Sequence, residues 1–219
     1  MSGILNTSIA RKIAMALSGL FLIIFLTQHF IINFTSVVSP ESFNEISHFM
    51  GTNPLVQFLL QPVLIFGVVF HFVMGFILEL QNRAARTTGY AVYKGSANAN
   101  WVSRNMIISG LVVLAFMGLH FYDFWVPEMI YKYVEFNSED PNRYYEELVH
   151  KFESPARTGI YAVSFILLAL HLWHGFQSAF QTMGVNNKYT PAIKNLGKAF
   201  AVLIPFGFVV IAIFHHFNH

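Results

Sequence analysis

Five apolar stretches dominate this chain, at residues 13 to 38, 55 to 80, 105 to 127, 157 to 183 and 199 to 217. Each is about 20 residues or longer, enough for a helix to cross roughly 30 Å of hydrocarbon. Within that layer no water can satisfy backbone N–H and C=O groups, so such segments become helices. Only 11% of residues are charged and 55% are apolar, which separates the chain from soluble globular proteins. The sequence therefore predicts an all-α membrane protein with five transmembrane helices, a single domain over 1 to 219 with no soluble domain beside it. The first stretch is longer than a signal-peptide core, contains Gln28 and His29 and has no A-x-A site behind it, so it is expected to remain as a helix.

Charge fixes an expected orientation. Alternating the ends of five spans collects Arg11, Lys12, Arg83, Arg86, Lys94, Arg104, Lys188, Lys194 and Lys198 on one side, with Glu79 the only acid near them. The remaining acids, including Glu41, Glu45 and those from Glu128 to Glu153, fall on the other side with four basic residues. The positive-inside rule then predicts a cytoplasmic N-terminus and an outer C-terminus. The chain has no cysteine, which excludes disulfides, thiolate-held iron–sulfur clusters and C-x-x-C-H haem attachment. Walker and Rossmann glycine patterns are absent too, and nothing implies a nucleic-acid partner.

Two connections carry helical signals of their own. Ser39 is a plausible N-cap ahead of Pro40, with Phe43, Ile46 and Met50 on one face, so a short surface helix is expected over 39 to 54. In the outer loop from 128 to 156, Asp140 and Pro141 precede Tyr144, Tyr145, Leu148 and Phe152 at helical spacing. Pro62 and Pro205 lie inside spans, where a lost backbone bond permits a kink. No repeat is evident beyond the recurrence of one histidine per span.

Those histidines are the chemical signal. His29, His71, His120 and His171 each stand inside a different span, and polar groups in a bilayer are costly enough to mark function. Two histidines can share one metal only at a common depth. At 1.5 Å per residue, His29 and His120 lie roughly 12 to 15 Å from the outer face, while His71 and His171 lie roughly 21 to 26 Å from it. The sequence thus predicts an outer pair, His29 with His120, and an inner pair, His71 with His171. Neutral imidazole is a haem ligand, and two pairs at two levels suit two stacked b-type haems within a bundle of the first four helices. Gly75 and Gly175 each follow an inner histidine by one turn, where a flat macrocycle could approach the backbone. His174 shares a face with His171 and competes with it as ligand. His48, His150, His215, His216 and His219 fall at the outer surface or the C-terminus, where solvation is the default.

The stretches H-F-I-I-N (29 to 33), H-F-V-M-G (71 to 75), R-N-M-I-I-S-G through G-L-H (104 to 120) and H-L-W-H-G-F-Q-S-A-F-Q-T-M-G (171 to 184) carry a resemblance. Their order and spacing resemble the di-haem cytochrome b membrane anchor of succinate:quinone oxidoreductases, the succinate dehydrogenases and fumarate reductases with one five-helix anchor, over essentially the whole chain. The resemblance implies two haem b groups, held by the first span with the third and the second with the fourth. The family motif places glycines at +4 and +13 from the last ligand, which Gly175 and Gly184 match from His171. It further implies a flavoprotein and an iron–sulfur partner on the cytoplasmic face, a bacterial cytoplasmic membrane, and electron exchange with a membrane quinone, menaquinone in the di-haem class. Dicarboxylate chemistry would then lie on the partner chains.

Further site residues are expected from chemistry. Arg11, Lys12, Arg104 and Lys188 gather at the cytoplasmic end, where anionic haem propionates of the inner haem need cationic partners. Quinone chemistry moves protons, so a titratable group should stand beside the outer haem; Glu45 and His48, three apart on the expected surface helix, are the candidates, with Glu41 in reserve. Two other classes compete. The chain could anchor another quinone-linked dehydrogenase, or be a haem-free proton channel or transporter in which the histidines and Glu79 relay protons.

Overall fold

The computed structural model describes residues 8–84, 106–185 and 187–218. The described chain forms α1 (Ser8–Val38), α2 (Pro40–Thr52), α3 (Gln61–Ala84), α4 (Met106–His120), α5 (Val126–Tyr133), α6 (Arg143–Phe152), α7 (Pro155–Thr182) and α8 (Thr190–Phe217). π-helical turns at Val56–Leu60 and Phe121–Trp125 lead directly into α3 and α5. Five stretches are long and apolar enough to cross a membrane: Ile9–Val38, Val56–Ala84, Met106–Tyr133, Pro155–Thr182 and Thr190–Phe217. This is a five-span, all-α membrane protein.

Caps and prolines, rather than hydropathy, set where these helices begin. Ser39 accepts a hydrogen bond from the Ser42 amide and Pro40 opens α2; Ser154 does the same for the Arg157 amide, with Pro155 opening α7. The fifth span, α8, starts at Thr190, with Pro191 in its first turn, well before the apolar stretch at 199. The third span runs on to Tyr133 instead of ending at 127. Both π turns end just ahead of a proline, Pro62 or Pro127. A proline lacks the N–H of the α register, and the wider π register accommodates its loss without breaking the span. Pro205 is buried inside an unbroken α8.

α7 packs most extensively on α8, while α1 touches α3, α7 and α8, and α4 lies against α7. Small residues receive aromatic rings: a Cβ added at Gly67, Gly197 or Gly207 would run into Phe21, Phe176 or Phe30. The buried core lies at the end of the bundle capped by α2 and α6, where Phe43 of α2 and Leu148 and Phe152 of α6 meet Tyr161, Phe165, Phe208, Ile211 and Ala212. The two surface helices are thus an apolar lid on the bundle. Asn44 joins them, donating to the Asn142 carbonyl at 3.0 Å and accepting from the Tyr145 amide at 2.7 Å. Arg143 lies over the rings of Tyr131 and Tyr144 and pairs with Glu128 and Glu147. Burial opposes its charge, but those carboxylates outweigh the penalty and hold its pKa above the ordinary range.

Candidate cofactor site: two histidine pairs

The helices bring four histidines together in two layers. His29 of α1 faces His120 of α4, with ring centres 5.7 Å apart and planes at 85°. His71 of α3 faces His171 of α7 at 6.4 Å and 78°. His171, rather than His174, is the ring that meets His71 and that Ser109 hydrogen-bonds.

The outer pair sits among aromatic rings. Phe25 stacks on His29 at 5.4 Å and Phe116 lies 5.9 Å from His120, each one turn before its histidine. Phe208 flanks His29, while Phe124 and Tyr161 flank His120. Asn33 bonds the His29 carbonyl at 2.8 Å and reaches the ring nitrogens only at 3.4 Å. His120 Nδ1 is buried with no hydrogen-bond partner among the described residues.

The inner pair is held differently. Ser18 Oγ stands 3.0 Å from His71 Nδ1 and Ser109 Oγ 3.2 Å from His171 Nδ1. Each hydroxyl also donates to a carbonyl in its own helix, of Met15 at 2.8 Å and of Met106 at 2.9 Å. Gly19 and Gly110 follow these serines, and a Cβ at either would touch the ring of His71 or His171. Across from them, a Cβ at Gly75 would meet the Met15 methyl, and one at Gly175 the Met106 methyl.

These correspondences show a repeat that the sequence reading missed. α1 carries Met15, Ser18, Gly19, Leu20, Phe25, His29 and Phe30; α4 and its π turn carry Met106, Ser109, Gly110, Leu111, Phe116, His120 and Phe121 at identical spacing. α3 and α7 share histidine with glycine one turn on. The site is therefore two equivalent helix pairs, α1 with α3 and α4 with α7, facing each other. The pattern M-x-x-S-G-L, read alongside the histidines, was the available signal.

This donor set fits b-type haem. Two imidazoles binding one iron from opposite sides, at about 2 Å per bond, have ring centres roughly 6 Å apart, which both pairs satisfy. No group of three or more metal-binding side chains occurs among the described residues, so the sites offer pairs of imidazoles only. A pair leaves the other iron positions to a macrocycle.

Asp123 also escaped the sequence reading. It is 1% exposed, lies in the π turn one helical turn past His120, pairs with Arg157, and accepts from the Tyr161 hydroxyl at 2.8 Å. An acid inside an apolar span was the clue. His215 corrects the expectation of a solvated terminal residue: it is fully buried, with Nε2 2.8 Å from Ser36 Oγ and its ring against Tyr145, because α8 folds its end under the α2 and α6 lid. His216 likewise bonds the Phe152 carbonyl.

Other candidates are placed less centrally. Glu45 is exposed on α2, and His48 turns toward Glu139, at 3.9 Å, and the ring of Tyr144. Glu41 bonds Ser39 at the start of α2. Arg11 and Lys12 lie one turn before Met15, with Lys12 exposed; Lys188 is exposed and stands over the Tyr189 ring. Arg104 lies outside the described residues. Glu79 is engaged by Arg83, one turn on, at 2.6 Å.

The chain is similar to the succinate dehydrogenase cytochrome b558 subunit of Bacillus subtilis (strain 168), with 25% identity over 163 residues, 74% of this chain and 73% of that protein. No protein-family model matches it, and no solved structure does. That relative supports the resemblance to the cytochrome b anchor subunits first drawn from the motifs.

Proposed function

We propose that this chain is the membrane anchor and electron-transfer subunit of a succinate:quinone oxidoreductase, a single cytochrome b domain of five spans. The observation that carries the reading is the meeting of four intramembrane histidines as two pairs at two levels. His29 and His120 hold an outer haem b and His71 and His171 an inner one. Haem b, when bound, supplies one-electron exchange. The chain's own part is to aim imidazole lone pairs at two points and exclude water with aromatic side chains. From Ser18, at the inner level, to His29, at the outer, α1 rises about 16 Å, which fixes the separation of the layers.

The charge bias orients the N-terminus to the cytoplasm of a bacterial cell, where a flavoprotein and an iron–sulfur subunit dock. Arg11, Lys12, Arg104 and Lys188 are the propionate candidates there. Quinone, menaquinone on the di-haem resemblance, is handled at the outer side, with Glu45 and His48 as proton-exchanging candidates.

The test is spectral. The purified chain with its copurifying subunits should show reduced b-type bands with two haems per chain. His71→Ala or His171→Ala should remove one haem, His29→Ala or His120→Ala the other, and His174→Ala neither. A colourless, fully helical protein refutes the cytochrome reading and favours the proton-relay class. Copurification with subunits of a different dehydrogenase would refute the succinate assignment alone. For the quinone site, Glu45→Gln should lower quinone-linked turnover while succinate oxidation by a soluble acceptor persists; unchanged turnover in Glu45→Gln and His48→Ala moves the site elsewhere.

A further inference from the structure

We propose that Ser18 and Ser109 are a matched pair of positioning residues that set the reduction potential of the inner haem, one acting through each of its axial histidines. The inference rests on the haem reading above.

Hydrogen-bond accounting on the two serines carries the argument. Each hydroxyl has one proton, and each gives it to a carbonyl in its own helix, Met15 or Met106, at 2.8 and 2.9 Å. The oxygen that then stands 3.0 or 3.2 Å from an imidazole Nδ1 can only accept. His71 and His171 must therefore carry their protons on Nδ1 and present bare Nε2 lone pairs. The tautomer that coordinates iron is fixed before any metal arrives. An acceptor behind the Nδ1–H also makes the imidazole a stronger donor, which favours the ferric state and lowers the potential.

The outer layer lacks this device. His120 Nδ1 is buried without a partner among the described residues, and Asn33 approaches the ring of His29 only at 3.4 Å. The same two helices that give the outer ligands thus give the inner hydroxyls. α1 supplies His29 to one layer and Ser18 to the other; α4 supplies His120 and Ser109. Gly19 and Gly110 belong to the arrangement, since each lets the helix come within contact of the ring its neighbouring serine holds.

The experiment is redox titration of the purified complex with both haems bound, with low-spin ferric electron paramagnetic resonance as a second readout. Ser18→Ala and Ser109→Ala should each shift the inner reduction equilibrium toward ferrous by about threefold, the size of one net hydrogen bond. Together they should give about tenfold, or about 59 mV for one electron. The inner resonance should change and the outer haem's potential should stay in place. Ser18→Thr and Ser109→Thr, which keep the hydroxyl, should restore the original value. A wild-type protein without haem refutes the functional reading and this one with it. A complex that keeps both haems, but whose inner potential ignores the double substitution or whose threonine variants behave as alanine does, refutes this inference alone.

Discussion

Replacing Asp123 with alanine should destabilise the bundle by about 2 kcal/mol. The carboxylate holds two partners on α7: Arg157, by ion pair, and the Tyr161 hydroxyl at 2.8 Å. Removing one member of a fully buried ion pair costs roughly 3–5 kcal/mol. Arg157 keeps 32% of its side chain exposed and can turn back to water, so that figure is an upper bound here. Tyr161 is 2% exposed and cannot, and a stranded buried hydroxyl costs about 1–3 kcal/mol. Side-chain hydrogen bonds inside membrane proteins average only about 0.6 kcal/mol and reach about 1.7, which pulls the total toward 2. Asp123→Asn, which still offers Tyr161 an acceptor, should cost about half as much. The assay is reversible unfolding by dodecyl sulfate in mixed micelles, followed by far-ultraviolet circular dichroism. A cycle with Arg157→Ala should show coupling of about 1 kcal/mol, because both substitutions remove the same pair. Stability of Asp123→Ala within about 0.5 kcal/mol of the parent, or strict additivity in the cycle, would show that the Asp123 contacts do not help hold the third span to α7.

Gly207→Val places a branched side chain against the Phe30 ring, which is itself packed on Phe208, and should cost about 1–3 kcal/mol in the same unfolding assay. Ser36→Ala should remove the hydroxyl bonded to Nε2 of the buried His215 and cost about 1 kcal/mol, while an exposed control, Ser42→Ala, should cost far less. The Glu41 carboxyl is held below the ordinary range, first by its own backbone N–H and then by the Ser39 hydroxyl. Its stabilising charge at the start of α2 is accordingly present above the ordinary carboxylate pKa and lost as pH falls through the lowered one. Ser39→Ala should raise that titration part of the way back, as followed by carboxyl carbon nuclear magnetic resonance.

Apolar length alone determined that the chain crosses a membrane five times, because an unsatisfied backbone in hydrocarbon has no alternative to the helix. The four histidines could also be read directly, since a costly polar group stands out inside an apolar run, and the 1.5 Å rise sorts such groups by depth. The cap at Ser39 was legible, being local chemistry between residues three apart, while the equivalent cap at Ser154 went unread. Local rules did not reach the helix ends at Tyr133 and Thr190, where a helix continues past the hydrocarbon as long as its own bonds are met. Nor did they reach Asp123, His215 or the serines behind the inner histidines. Each of these gains its meaning from a partner far away in the chain: Arg157 and Tyr161, Ser36, or a histidine on the neighbouring helix. Depth can be counted along one helix, but which face of it meets which neighbour depends on how the rings of Phe21, Phe30 and Phe176 settle onto glycines of other helices. Counting along a helix ranks the histidines by depth; only packing in three dimensions decided which polar groups touch.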